Sequence, residues 1–441
     1  MNNIFKLFVP ILFVVFMVPV HGQEQLFSLD DCISYALENN TMIGRAENDV
    51  LSQYSQLEQR KAERGPNLIL SANESVSSNN TYDSSTAGWN RETNNNMNVS
   101  LSSNIVLYNG AKIRNAILQG KMNVSAAETE VKTEKELLSL DILANYITVL
   151  QAKEQMKNTQ SQLESTAKEL EEATIRREAG VMSPADYLNI KSQHSADKAA
   201  LVSSQSTLRI ALVTLMQTMN MPVSSSFDIM VPNEQSFVKM SMETDPAVVY
   251  NVALGIQPGI KTAELDLESA EMDIQLAKVD ALPYLSLNGG VQSNYYSGSD
   301  LGFNEQLSNQ LTPTIGLSLS IPIYQRKEVK NKVKQAFISR DNYRFNLVDT
   351  KNDLRKSIEQ ACTDAQTANS AYLSYKEQYL AEQESFKLAE EMFSQGMLSS
   401  VDYLTSKNNL IEAENNLTKA KYEMVLQKEI IEYYMGKAIA F

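Results

Sequence analysis

The chain writes much of itself twice. "GVMSPADYL" runs from Gly180 to Leu188 and "GMLSSVDYL" from Gly396 to Leu404, with Gly, Ser, Asp, Tyr and Leu at matching places, a shift of 216. "LSSNIVLYNGAKIRNAI" at Leu101 returns as "LSLSIPIYQRKEVKNKV" at Leu317, again shifted by 216, so that Tyr108 maps on Tyr324. "PNLILS" at Pro66 answers "PYLSLN" at Pro283, and "ALENNTMIGRAE" at Ala36 answers "ALGIQPGIKTAE" at Ala253, both shifted by 217. Two copies of one unit, 23–220 and 247–441, therefore fill the chain after its first residues, and a Ser- and Pro-bearing connector, 221–246, joins them.

Each copy has the same grammar. A helical stretch (29–62) stops ahead of Gly65-Pro66, as helices do before a proline. Two strand-like segments follow, near 66–76 and 97–107, and then a proline-free helix, 111–179. The Gly180 phrase turns the chain (180–184) into another helix that ends about Thr218. The second copy repeats the pattern: helix 247–280, strands near 284–295 and 311–323, helix 327–395, turn 396–400, helix 400–434. This is a mainly α fold with a small β part.

The long helices carry an apolar residue every seven positions. Ile142, Val149, Met156, Leu163 and Leu170 in the first copy match Ile358, Ala365, Tyr372, Tyr379 and Phe386 in the second. The returning helices do likewise, with Tyr187, His194, Leu201, Leu208 and Leu215 against Tyr403, Leu410, Leu417, Met424 and Ile431. That period is the mark of supercoiled, packed helices. His194 replaces a leucine of the other copy, which reads as a packed, satisfied histidine rather than a ligand. A 69-residue helix is roughly 100 Å long. The two shorter helices of each copy can cover it together, meeting end to end. Each copy is then a rod of antiparallel coiled coil, with strands at one pole and the turn at the other.

The strands decide the class. Met97, Val99, Leu101, Ser103, Ile105 and Leu107 alternate with Asn98, Ser100, Ser102, Asn104 and Val106. Ile315, Leu317, Leu319, Ile321 and Ile323 alternate in the same way with polar or small residues. About ten alternating residues suit a tilted crossing of an outer membrane, and Tyr108 and Tyr324 end such strands where interfacial aromatics belong. The polar segments between the strands read as exposed loops. Four strands cannot close a barrel, and open edges are not tolerated in lipid. The chain must share a barrel with copies of itself: two would give eight strands, three would give twelve and room for a passage.

The first 22 residues carry one charge, Lys6, ahead of an apolar run from Leu7 to Val20, which reads as a secretory signal peptide. Cys32, in "LDDCIS", sits in no lipoprotein cleavage box, so no lipid anchor is expected. No later stretch has 18 apolar residues in a row, so no transmembrane helix is expected. The net charge of −14, or −15 without Lys6, argues against nucleic acid as a partner. There is no CxxC, HExxH, Walker loop or GxGxxG, and outside the leader only one histidine, so no cofactor, metal or catalytic site is expected. Cys32 and Cys362 lie at similar distances from the strands, but equal height does not fix angular position, and no disulfide is expected. A non-channel alternative fits the same pattern: an outer-membrane-anchored structural or adhesive coiled coil.

The ordered set "ALENNTMI", "GPNL", "VLYNGAKIRNAI" and the two nine-residue turns, inside a duplicated unit, resembles the TolC-like outer membrane efflux proteins over essentially the mature chain. The resemblance implies a homotrimer in the outer membrane of a Gram-negative bacterium. It implies a twelve-stranded barrel continuing into a periplasmic α-barrel tunnel, the exit duct of an efflux or type I secretion system. The turns would form the tunnel's mouth, where Gly180, Val181, Met182 and Ser183 with Gly396, Met397, Leu398 and Ser399 dock a periplasmic adaptor (membrane fusion protein). That adaptor would connect to an inner-membrane RND or ABC transporter.

Two roles are open to Asp186 and Asp402. Ser183 and Ser399 are good N-caps, Pro184 suits the first helical position, and Ser-x-x-Asp is a capping-box pattern. The resemblance implies instead a ring of inward-facing acids at the mouth. The family's basic residue two after the glycine is Met182 or Leu398 here, and its second acid is Asn189 or Thr405, which points to an apolar or looser closure.

Overall fold

A computed structural model describes residues 26–232, 245–437 and 439; the proposed leader and residues 233–244 of the proposed connector lie outside them. Two short helices, α1 (Leu29–Asn39) and α2 (Thr41–Ala62), lead into β2 (Ile69–Asp83) and β3 (Gly88–Tyr108). The long α3 (Lys112–Glu178) and α4 (Pro184–Thr218) follow. The second copy consists of α5 (Pro246–Ile256), α6 (Pro258–Val279), β5 (Tyr284–Tyr296), α7 (Phe303–Asn309), β6 (Thr312–Ser320), α8 (Glu328–Ser394) and α9 (Ser400–Tyr434). A small parallel pair, β1 (Leu26–Phe27) and β4 (Asp228–Ile229), closes over the first copy. Tyr146 holds that pair, donating its hydroxyl to Met230 O at 2.6 Å.

The duplication reaches the backbone. Both long helices have 67 residues and both returning helices 35. Left-handed residues recur at the same shift: Gly110 with Arg326, Ala111 with Lys327, Gly180 with Gly396, Asn220 with Gly436. Gly180 (φ 73°) and Gly396 (φ 72°) end the long helices in a conformation that an L side chain adopts only with strain.

Where one continuous helix was expected over 29–62, Asn40 is extended, and its side chain accepts from Met42 N at 2.8 Å to restart the helix as α2. Gln257 is the matching break, forced by the proline that follows it. These breaks lie where the helices meet. Asn40 Nδ2 donates to Thr218 O at 2.9 Å, and Asn220 Nδ2 donates to Asn39 O at 3.1 Å. The end of α4 therefore abuts the α1–α2 junction, and together they cover α3.

Among the described residues, two of the core clusters are related by the repeat. In the first copy Cys32 and Ala36 pack with Ile142, Tyr146, Val149 and Leu215. In the second, Val249 and Ala253 pack with Ile358, Cys362, Ala365 and Ile431, the same positions shifted. Cys362 thus stands where the first copy has Tyr146, and Cys32 where the second has Val249. Each cysteine belongs to its own copy's core and they form no disulfide. Burial, with the Asp31 charge adding to it, pushes the Cys32 thiol up to about 12, so it stays protonated. His194 corrects the sequence reading: its Nδ1 is buried with no partner. α4 is long and apolar enough to pass for a membrane span by length and composition, yet it packs along α3 with buried Asp197 in the seam.

Candidate functional site

The four longer strands form one antiparallel sheet in the order β2-β3-β5-β6. Register sorts its side chains onto two faces, because directly paired residues point the same way. One face carries Leu70–Leu101–Val291–Pro313, Ile105–Leu287–Leu317 and Ser103–Gly289–Ile315. The other carries Asn73–Asn98–Asn294, Ser71–Ser100–Gln292–Thr312 and Asn104–Asn288–Gly316. Amide pairs lace the polar face: Asn98 Nδ2 donates to Asn294 Oδ1 at 2.7 Å, and Asn104 Nδ2 to Asn288 Oδ1 at 2.6 Å. The apolar face from Met97 to Ile105 and on to Tyr108 covers roughly 25 Å of height for a tilted strand.

Strict alternation would place Tyr108 on the polar face with Asn104 and Val106. A bulge between Val106 and Tyr108 breaks the alternation, so that Tyr108 pairs with Leu285 and joins the apolar face, half exposed. At the opposite rim Tyr295, paired with Met97, packs against Phe303 at 5.1 Å. Tyr324 differs from expectation: β6 ends at Ser320, and Tyr324 lies four residues beyond it, 80 % exposed. The expected loop between the first two strands is mostly strand. β2 and β3 pair without interruption up to Asp83 and Gly88, whereas β5 stops at Tyr296 opposite Asn96. The β2–β3 ribbon stands about 26 Å past that point. Apart from the paired Tyr82 and Trp89 near its tip, the ribbon over 77–96 is polar on both faces, so alternation could not announce it.

At the other pole the turns are built as helix stops and starts. Ser183 Oγ accepts from Asp186 N at 3.1 Å and donates to Asp186 Oδ2 at 2.6 Å. Ser399 and Asp402 repeat this at 3.1 and 2.7 Å. Met182 and Leu398 are half-buried behind the tips, while Val181 and Met397 are exposed. Beyond the caps, symmetry ends. Ser400 is buried and donates to Asp186 Oδ1 at 2.5 Å, and Asn189 Nδ2 donates to Ser400 Oγ at 3.2 Å. Asp186 therefore both braces the Ser183 N-cap and crosslinks the two copies, whereas Asp402 is exposed. Inside one chain, these polar contacts tie the two copies at the tip. Higher up, Lys407 of α9, 3 % exposed, pairs with Glu169 of α3, and Lys421 pairs with Glu154 at 3.0 Å. Gln155 Nε2 donates to Asn415 Oδ1 at 2.8 Å in the same seam. Sequence reading missed this set because its members lie on different helices with no shared spacing.

A two-faced sheet, long helical rods and paired distal turns agree with what the chain is similar to. The model of the family described as "Outer membrane efflux protein" matches residues 32–221 and 249–437. The chain belongs to that family. It is 25% identical over 363 residues to the outer membrane protein TolC of Salmonella enteritidis, covering 81% of this chain and 72% of that one. Its fold matches a crystal structure of CusC with a TM-score of 0.79 at 17% identity, over 93% of this chain and 92% of that one. It also matches the Campylobacter jejuni CmeC outer membrane channel with a TM-score of 0.76 at 18% identity, over 92% and 85%. This outer membrane efflux protein is a transport channel of the TolC family, not an enzyme. Among its described residues no group of three His, Cys, Asp or Glu side chains is placed to hold a metal ion.

Proposed function

We propose that three copies of the chain close a twelve-stranded barrel across the outer membrane and continue it into a periplasmic tunnel. In this reading the tunnel is the exit duct of a tripartite efflux or type I secretion system. The observation that carries it is the sheet: one apolar face, one polar face, and outer edges of β2 and β6 that no described strand pairs. Such edges need partners in lipid. Two copies would give eight strands, with an interior filled by side chains; three give twelve and a polar passage. Apolar side chains left exposed along the rods, among them Val202 and Ile210 on α4 and Phe345 and Val348 on α8, supply faces for neighbouring copies.

The distal turns dock a periplasmic adaptor, which links the duct to an inner-membrane RND or ABC transporter. Val181, 75 % exposed, and Met397, 60 % exposed, support this, since apolar tips favour a partner. Tyr108 anchors the barrel at the membrane interface. The test has two arms. Mass measurement of the detergent-solubilised complex and planar-bilayer conductance should show a trimer with a stable or gated pore; a silent complex would favour a structural anchor. Val181→Asp with Met397→Asp should abolish export while trimer and conductance persist; export that survives would place docking elsewhere.

A further inference from the structure

The seam between α3 and α4 departs from its copy in the second repeat. Three residues after the first four stripe positions, α4 carries Ile190, Asp197, Ser204 and Ala211, all buried. Shifted by 216, Asp197 and Ser204 fall on Ala413 and Ala420 of α9, which are buried too. One packing position therefore takes a methyl group in one copy and a carboxylate in the other. A carboxylate there must find partners, since burial alone disfavours its charged form. One oxygen has one: Gln193 Nε2 donates to Asp197 Oδ1 at 2.9 Å. Asp197 Oδ2 is buried without a partner, and so is Gln162 Nε2 on α3. Both residues line a half-open cavity of about 360 Å³ between α3, α4 and α9 of a single chain.

The lining selects the ligand. Among the described residues, Asp197 and Glu414 are its charged members and no Lys, Arg or His lines it; the others are amides, hydroxyls and aliphatics. Burial, with Glu154 nearby, holds the Glu414 carboxyl above its ordinary range, as a wall without cations should. A bare metal ion would leave the Gln162 donor unpaired, and it would leave most of the volume empty. A quaternary ammonium would find no aromatic face among the lining residues. What remains is a molecule with an N–H⁺ to give and an oxygen to receive. The volume lies at the low end of the ~300–1,000 Å³ usual for ligand pockets. Exposed Ser203 and Asn408 mark the rim through which it would enter.

We propose that this cavity binds a small hydroxylated organic ammonium of amino-sugar size, with Asp197 Oδ2 accepting from its ammonium group and Gln162 Nε2 donating to one of its oxygens. The site lies within one chain and stands whether or not the sheet closes into a channel. The test is calorimetric titration of the full-length protein in detergent at neutral pH with glucosamine, using N-acetylglucosamine and KCl as comparators. Glucosamine should bind saturably, and the uncharged sugar at least about tenfold more weakly. Asp197→Ala should lose the binding; it should fold, because Ala413 occupies the same buried position in the other copy. Asp197→Asn, which keeps the shape, should weaken binding by a similar factor. Absence of saturation, equal binding of the uncharged sugar, displacement by equimolar KCl, or wild-type affinity in both variants would each overturn the proposal.

Discussion

Ser400 Oγ donates to Asp186 Oδ1 at 2.5 Å, joining the start of one returning helix to the start of the other. The equivalent of Ser400 in the first copy is Pro184, which has no hydroxyl, so the chain holds this tie once rather than twice. Ser400→Ala removes the crosslink and spares the Ser183 and Ser399 N-caps. It is expected to raise the conductance or open probability of the channel in planar bilayers. Asp402→Ala, which removes the carboxylate that braces the Ser399 cap and no crosslink, is expected to loosen the start of α9 with little effect on conductance. Identical conductance in Ser400→Ala and wild type would remove the tie from any account of closure.

The same tie has a pH dependence. The Ser183 hydroxyl first, and the Ser400 hydroxyl after it, hold the Asp186 carboxyl below its ordinary value of 3.8. A carboxyl depressed in the folded state contributes stability in full above its unfolded value, and loses it as pH falls through the lower folded value. The tie therefore holds over the whole neutral and mildly acid range. Conductance of wild type and Ser400→Ala should differ there and converge only below about pH 3.8. Convergence at higher pH would mean that another group controls the tip.

Much of this architecture was legible because a coiled coil repeats every seven residues and the chain repeats it twice. The stripe through Ile142 and Val149 and its copy through Ile358 and Ala365 are the cores of the two clusters. Pro258 also announced a helix break that a continuous 247–280 helix overlooked, and its copy at Asn40 has no proline to mark it. The alternation of Met97 to Ile105 gave a two-faced strand but could not reveal the bulge that re-aims Tyr108, since one extra residue leaves no compositional trace. The ties between the copies were illegible for a deeper reason. Asp186 and Ser400, or Glu169 and Lys407, are more than 200 residues apart, and only packing brings them together.

Lys407 is the most buried cation of the inter-copy seam, 3 % exposed against 20 % for its partner Glu169. Removing one member of such a pair strands the other's charge away from water. Lys407→Ala is expected to lower unfolding stability by about 3 kcal/mol, the low end for a buried pair because Glu169 is partly solvated. Lys407→Met combined with Glu169→Gln removes both charges and should recover most of that loss. Urea unfolding followed by circular dichroism decides; a double variant as unstable as the single one would show that packing of the Lys407 stem, and not its charge, matters there.

The two faces of the sheet predict opposite responses to one kind of substitution in adjacent residues. Leu101 lies on the apolar face, in the row of Leu70 and Val291; Ser100 lies on the polar face, in the row of Ser71 and Gln292. Leu101→Arg is expected to cost about 2–4 kcal/mol, the usual penalty for arginine facing the bilayer midplane. Ser100→Arg should leave stability nearly unchanged and shift ion selectivity toward anions. Heat stability of the purified protein reads the first, and reversal potentials in planar bilayers read the second. If the two responses were exchanged, the assignment of lipid and lumen faces would have to be inverted.

The bulge at Tyr108 can be read directly by light, because the chain has a single tryptophan, Trp89, at the far end of the β2–β3 ribbon. Trp89→Phe clears the background, and Tyr108→Trp then places one fluorophore at the position that the bulge turns onto the apolar face. Its emission should be strongly quenched by lipids brominated near the headgroup, as expected for an interfacial aromatic. Val106→Trp in the same background, two residues earlier and on the polar face opposite Ser286, should show little quenching. Tyr324→Trp, beyond the end of β6, gives an independent reading of whether that exposed ring also reaches the membrane. Equal quenching at 106 and 108 would mean that the bulge does not separate the two faces in the membrane, and strict alternation would then describe the strand to its end.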